Sequence, residues 1–333
     1  MLTKKENLFE TIRGGNPDRY VKQYEPFHLV MSTPNKLVSP LPAKGAGMKQ
    51  NAWGVWLEWP EGTPGFFPVH DAEHILIKDI SHWRDYVKVP AARFSDELYE
   101  ASLKEIESVD RNEQLVTLHM IQGIFEQCHY LCGITQALTY FYTDPEPMHE
   151  LIKCLLEYEL ELTDDLCTKL KPDAILHHDD WGMQRSSFIS PEMFEEFLLE
   201  PYKKLYGFYK EKGVLIVHHA DCYCANLVPY MIEMGVDIWQ GAMSTNNLPE
   251  ILEKYGSKLT IMGGIDNGLV DREDWTPERI YEVTEKICTE CGTKYFIPST
   301  TVGRDVSTYP GVYEAVDNAI DKVSSKMFSQ KYR

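Results

Sequence analysis

The segment Ala174-Ile175-Leu176-His177-His178-Asp179-Asp180-Trp181-Gly182-Met183-Gln184 decides how the rest of the chain is read. Its first three residues form an apolar run of the length of a buried strand. Two histidines and two aspartates follow directly, Gly182 breaks the run, and Ser190-Pro191-Glu192 opens a helix. Polar side chains at the C-terminal end of a strand, just before a βα loop, sit where parallel α/β folds assemble active sites.

Outward from this segment the design recurs. Upstream, Leu115 to Met120 reads as a strand leading into Ile121-Gln122-Gly123 and a helix near Ile124 that carries Glu126. Downstream, Pro191 to Lys212 places Phe194, Phe197, Leu198, Leu205 and Tyr209 at helical spacing, and Gly213 ends that helix. Val214 to Val217 is the next strand and runs into His218-His219-Ala220-Asp221-Cys222. Strands at Val236 to Trp239, Leu259 to Met262 and Tyr295 to Pro298 follow, each with a helix behind it. At the other end, Thr3 to Arg13 predicts a short amphipathic helix with a Thr3/Glu6 capping box, and Phe27 to Met31 predicts the first strand. A weak strand at Gly65 to Val69 raises the count to eight. Single short strands separated by helices indicate parallel βαβ units. The expected fold is therefore α/β, a (β/α)8 TIM-type barrel with an N-terminal helical extension, one domain over residues 1–333. No Gly-x-Gly-x-x-Gly follows the first strand, so the main signal of a dinucleotide fold is missing.

Between Pro34 and Gly65 the chain is rich in Pro, Gly and Trp and lacks periodicity. A long insertion of this kind after the first strand predicts a lid or binding loop. Its Trp53, Trp56 and Trp59, with Phe66 and Phe67, fit either a satellite cluster under the loop or aromatic walls for a flat ligand.

The formal charge of −18 argues against nucleic acid as a partner and against a polyanionic substrate. No apolar run is long enough to span a bilayer, and Met1 to Glu6 lacks the apolar core of a signal peptide, so a cytoplasmic protein is expected. Eight cysteines in such a chain predict free thiols. Cys128, Cys132, Cys154 and Cys167 fall in helical patterns as packing residues, and Cys288-x-x-Cys291 stands alone near a helix end.

On a barrel the strand ends converge on one pocket. They carry His119 and Gln122, His177 to Gln184, His218 to Cys224, Trp239 and Gln240, Asp266 and Asn267, and Ser299 to Arg304. Asp179 and Asp180 suit a general acid–base pair in which one carboxylate raises the pKa of the other; the competing role is a helix N-cap, with Asp180 satisfying the amides after the turn. His219, Asp221 and Cys222 offer donors that zinc accepts, or else a polar strand end with a hydrogen-bonded imidazole and buried thiols. The expected catalytic residues are thus Asp180, Asp179 and His219. The expected pocket residues are His119, Gln122, Trp181, Gln184, Trp239 and Asp266, with Trp181 as a wall.

Three segments resemble the uroporphyrinogen decarboxylase superfamily. Arg13-Gly14-Gly15-Asn16-Pro17-Asp18-Arg19 is similar to its "RGExPDR" opening, and Asn51-Ala52-Trp53-Gly54-Val55 to its "D-x-W/F-G-V" segment. Asp179 to Gln184, then Ile189-Ser190-Pro191-Glu192 and Phe197 to Lys204, resemble its "DDxGxQ…ISPxxFxxFxxPxxK" block. The resemblance implies a (β/α)8 barrel and either of two activities, porphyrinogen decarboxylation or methyl transfer with corrinoid proteins. The decarboxylase branch has an arginine-rich segment after the first strand; here Ser32-Thr33-Pro34-Asn35-Lys36 has no arginine. The branch that methylates thiols carries His-x-Cys and a distant Cys. Here Asp221 stands two residues after His219, and Ser299 to Gly303 has no Cys. The resemblance then implies an O-demethylase-like methyltransferase that moves a methyl group from a small methylated compound, an aryl methyl ether, to cob(I)alamin. The alternatives are a uroporphyrinogen decarboxylase-like decarboxylase and a coenzyme M-type thiol methyltransferase. Cobalamin's own Asp-x-His-x-x-Gly motif is absent, so the corrinoid is expected on a partner protein.

Overall fold

The computed structural model describes residues 1–63 and 65–329. Seven parallel strands curl into a TIM-type α/β half-barrel: β1 (Phe27–Val30), β5 (Leu115–Ile121), β6 (Ala174–His178), β7 (Leu215–His219), β8 (Ile238–Ala242), β9 (Thr260–Ile265) and β10 (Phe296–Thr300). They lie side by side in chain order, each separated from the next by helices.

The eighth barrel strand expected at Gly65 to Val69 is not in this sheet. Phe67–Pro68 (β4) pairs antiparallel with Trp56–Glu58 (β3), which pairs with Lys49–Gln50 (β2). The strands of the insertion after β1 pair with one another in this small sheet, so none of them joins the barrel sheet. The edge at β10 instead meets the chain just before β1. Gln23 donates its N–H to the Pro298 carbonyl, and its side-chain oxygen accepts from the Thr300 N–H and hydroxyl.

Strand alternation sorts the side chains into two cores. Phe27, Leu115, Ala174, Leu176, Val217, Ile238, Met262 and Ile297 form the inner core, with Leu8 from the N-terminal helix Lys4–Ile12 packed among them. The predicted capping box starts that helix: Thr3 Oγ1 accepts the Glu6 N–H and the Glu6 carboxylate accepts the Thr3 N–H. Val116, Leu118, Met120, Ile175, Ile216, Trp239, Ile261 and Phe296 point the other way, into the core beneath the surrounding helices.

Several strands run two or three residues past their apolar stretches, β7 to His219, β8 to Ala242, β9 to Ile265 and β10 to Thr300. The polar residues have not left the sheet; they are its upper rungs. The segment Pro191–Glu211 is helical as expected, with one π turn at Glu195–Leu199. That turn shifts the helical phase and lays Tyr202, Tyr206 and Tyr209, all buried, toward β6 and β7. All eight cysteines are free. Among the described residues no helix is long and apolar enough to cross a membrane.

Candidate active site

β6 and β7 pair in register, His177 beside His218 and His178 beside His219. Alternation turns the second of each pair inward. The His178 and His219 rings stack at 4.3 Å between centroids, and His119, on the inner face of β5, stands 6.4 Å from His178. The chain after His178 brings Asp180 over both rings, with its oxygens 3.9 Å from His178 Nε2 and 3.4 Å from His219 Nε2. The Asp221 N–H holds that carboxylate in place at 2.9 Å.

The other nitrogen of each ring is already committed. His178 Nδ1 pairs with the Glu126 carboxylate at 2.8 Å. His219 Nδ1 meets Gln240 Oε1, and the Gln240 amide donates to the carbonyls of Thr300 and Val302. The two carbonyl acceptors fix which end of the amide is oxygen, so His219 Nδ1 carries the proton and Nε2 keeps its lone pair. Two imidazoles anchored through Nδ1 and aimed through Nε2 at one carboxylate reproduce the way proteins orient metal-binding histidines. Among the described residues His178, Asp180 and His219 are the group whose donor atoms, all within 4.8 Å of one another, suit a metal ion. Two imidazoles and a carboxylate are a donor set that zinc accepts in catalytic sites, with a fourth position left open.

Charge is concentrated here. Burial opposes a charge on His178, but Glu126, Asp180 and Asp221 together overcome it and push the imidazolium up to about 10. Burial, then the His178 charge, lowers His219 to about 4. Burial works against ionisation of Asp180, yet His178 and His219 outweigh it and its carboxyl is lowered. Burial, then the Asp180 charge, raises Asp221 to about 7.

The expected site residues separate into groups. His219 and Asp180 meet at the mouth with His178, and His119 is beside them. Asp179 faces the outer layer, where its carboxylate accepts from the N–H groups of Phe125 and Glu126, from Trp181 Nε1 and from the Tyr202 hydroxyl. Burial, then the Glu126 charge, pushes its carboxyl up, and the Trp181 and Glu126 N–H donors oppose that. The capping role thus falls to Asp179, on the helix Ile124–Cys132 rather than the helix that follows it in sequence. Trp181 is no wall of the mouth: it stacks on His218 at 3.9 Å in the same outer layer. Trp239 is buried there too, donating to the Ala220 carbonyl. Gln122 accepts from Ser39 and lines a separate internal cavity of about 30 Å³. Gln184 is exposed, and Asp266 caps the short helix Asn267–Val270.

Asp221 and Cys222, expected as ligands with His219, are outside the His178–Asp180–His219 group. β7 ends at His219, and the chain then turns with Cys222 at φ +61° and its carbonyl tied to Asn246. Burial and the Asp221 charge also push the Cys222 thiol up, away from the thiolate a metal needs. His178 and Gln240 were counted among the strand-end residues and Glu126 in a helix, but residue type alone gave none of the three a role. Counting strand parity from Leu115, Leu176 and Val217 would have turned His178 inward and His177 out. Glu126 lies 52 residues from its partner, and nothing in the sequence pairs them.

A TIM-type α/β chain with polar residues gathered at its strand ends is a class with many functions. Within it, the chain belongs to the uroporphyrinogen decarboxylase (URO-D) family, whose model matches residues 49–323. No curated protein sequence matches it. Among solved structures, a methyltransferase from Methanosarcina mazei superposes with a TM-score of 0.65 at 12% identity, covering 97% of this chain and 99% of that one. At this identity the likeness concerns the fold. A GH18 chitinase from Pseudoalteromonas aurantia (TM-score 0.39, 12% identity, 88% and 99% covered) and a sugar phosphate isomerase/epimerase from Parabacteroides distasonis (0.38, 10%, 71% and 77%) are too distant to carry an argument.

Proposed function

We propose that this protein is a methyltransferase that takes a methyl group from a small methylated compound, an aryl methyl ether, and passes it to cob(I)alamin carried by a partner corrinoid protein. The observation that carries the reading is the convergence of His178 Nε2, His219 Nε2 and Asp180 at the mouth, with both Nδ1 atoms tied back. These three residues would hold a zinc ion, which as a Lewis acid makes a phenolate a better leaving group. The chain's own contribution is orientation. Glu126 and Gln240 fix the two imidazoles, and the Asp221 N–H fixes Asp180. Asp179 acts further back. By capping the helix that starts at Ile124 it places Glu126, and through Glu126 it places His178.

The ring of the donor is proposed to rest against His129, Tyr130 and Phe188. His129 and Tyr130 both lie within reach of the Asp180 charge, and Phe125 bridges His129 and Phe188 through ring contacts. The tryptophans of the insertion are elsewhere. Trp53 is buried against Tyr158, Trp56 meets His74, and Trp59 bonds within its own loop. The test is spectroscopic. The purified protein is mixed anaerobically with a corrinoid protein in the cob(I)alamin state and guaiacol or veratrole. Conversion to methylcob(III)alamin that is lost in His219→Ala supports the reading. No conversion with any methylated donor, with carbon dioxide released from a porphyrinogen instead, replaces it with a decarboxylase.

A further inference from the structure

The loop after β10 is pinned down as far as Val302. Asn267 Oδ1 accepts from the Thr301 N–H, the Thr301 hydroxyl and the Val302 N–H, at 2.7, 3.0 and 3.1 Å. The Val302 carbonyl accepts from the Tyr24 hydroxyl and from Gln240 Nε2. Gly303 then passes over the paired imidazoles so closely that a Cβ there would lie 3.2 Å from His178 Cδ2 and from His219 Cε1. Arg304 is the next residue. It is half-buried and near enough to His119 and Tyr24 for its charge to act on both.

Arg304 has no hydrogen bond and no ion pair among the described residues, in a chain with 51 acidic against 33 basic side chains. Two of the other three half-buried arginines pair with carboxylates, Arg19 with Asp18 at 2.6 Å and Arg111 with Asp173 at 2.7 Å; Arg279, on a helix away from the mouth, does not. The acids of the mouth are occupied elsewhere, Glu126 with His178 and Asp180 with the two imidazoles and the Asp221 N–H. A second group beside Arg304 also lacks a partner. His119 is 4% exposed and its Nε2 has none. Buried polar groups in proteins are nearly always paired, so a buried imidazole without a partner, with an unpaired half-buried guanidinium near it, marks a place that a ligand completes.

We propose that Arg304, with His119, binds one anionic group of the methyl donor, so that the protein selects donors bearing a carboxylate over their neutral counterparts. A guanidinium offers a carboxylate two parallel hydrogen bonds. A single arginine suits one anionic group, in keeping with the strongly acidic chain. The His119 and His178 rings lie 6.4 Å apart, a spacing comparable to one substituted aromatic ring. The choice of donor rests on the methyl-transfer reading above; the anion site does not.

Two measurements separate them. Calorimetry with the protein alone compares 4-methoxybenzoate with 4-methoxybenzyl alcohol, and the corrinoid assay then compares the same pair as donors. The expected result is tighter binding of the benzoate, weakened about ten- to hundredfold in Arg304→Gln and partly restored in Arg304→Lys, with the alcohol unaffected. In turnover the loss falls on KM for the benzoate and leaves kcat nearly unchanged. Equal binding of the two compounds by the wild-type protein, or equal losses for both in Arg304→Gln, overturns the proposal. Benzoate binding that depends on Arg304, with no methyl transfer from either compound, keeps the anion site and discards the methyltransferase reading.

Discussion

The inner and outer faces of β6 and β7 carry the same residue type at the same height. His178 and His219 look into the barrel; His177 and His218, one residue earlier on each strand, look out. The inner pair keeps one nitrogen each free toward Asp180. The outer pair is built into a buried aromatic layer. The Tyr206 hydroxyl bonds to His177 Nδ1 and His218 Nδ1, His177 Nε2 pairs with Glu159 at 2.9 Å, and Trp181 covers His218. The difference teaches that a histidine at a strand end is defined by parity rather than by position. One face leads to solvent and ligand, and the other to a helix that must be packed.

Substitutions can break this comparison or sharpen it, and the largest effect belongs to the inner face. His219→Ala should lower methyl transfer more than the 10–100-fold cost of disturbing a residue that merely orients a ligand, and should abolish stoichiometric zinc with little change in Tm. Zinc analysis beside a thermal melt tests this; zinc retained at wild-type affinity would remove His219 from the site. Trp181→Ala should do the reverse. It should cost about 3–5 kcal/mol of stability by opening a cavity in the outer layer, while the folded fraction keeps its zinc. Denaturant unfolding measures the loss, and a neutral result would put Trp181 in the mouth after all.

Glu126→Gln should lower zinc affinity about 10–100-fold, and Asp179→Ala should follow it in the same direction through the lost helix cap. A competition titration with a chelator would show it, and a double mutant losing no more than Glu126→Gln would confirm the shared route. The pH response has a definite sign. Near neutral pH the ion-free site holds a proton on His178, while His219 is neutral and Asp180 ionised. Zinc uptake should then release about one proton, and affinity should fall as pH falls. Calorimetry in buffers of different ionisation enthalpy counts it, and no release would mean that His178 is not a ligand. The smallest effect is at Asp266, whose replacement by Ala should cost about 1 kcal/mol as a lost N-cap and leave zinc untouched.

Much of the fold was legible because it follows from short-range rules. Apolar runs bounded by Gly and Pro placed the seven barrel strands, and Thr3 with Glu6 placed the first helix. The eighth strand was misassigned because Phe67 and Pro68 do form a short strand, but in a different sheet, and periodicity is blind to a partner. Asp180 and His219 were named from residue type at strand ends, and the fold brings the two side chains together. Asp179 was grouped with Asp180 because the two are adjacent, although in a backbone that alternates, adjacent residues face apart.

What the sequence by itself determined is the order of elements, the strand ends as the place where polar chemistry gathers, and the family resemblance of the Asp179 to Lys204 block. These depend on residues near one another in the chain. What only the tertiary structure decided is which member of each polar pair faces the mouth, that Glu126 and Gln240 hold the two imidazoles, and that Arg304 is left without a carboxylate. Those facts depend on parity summed over several strands and on contacts between residues such as Glu126 and His178, 52 positions apart, or Gln240 and Val302, 62 apart. No local pattern encodes such distances; only the curl of the sheet brings the groups together.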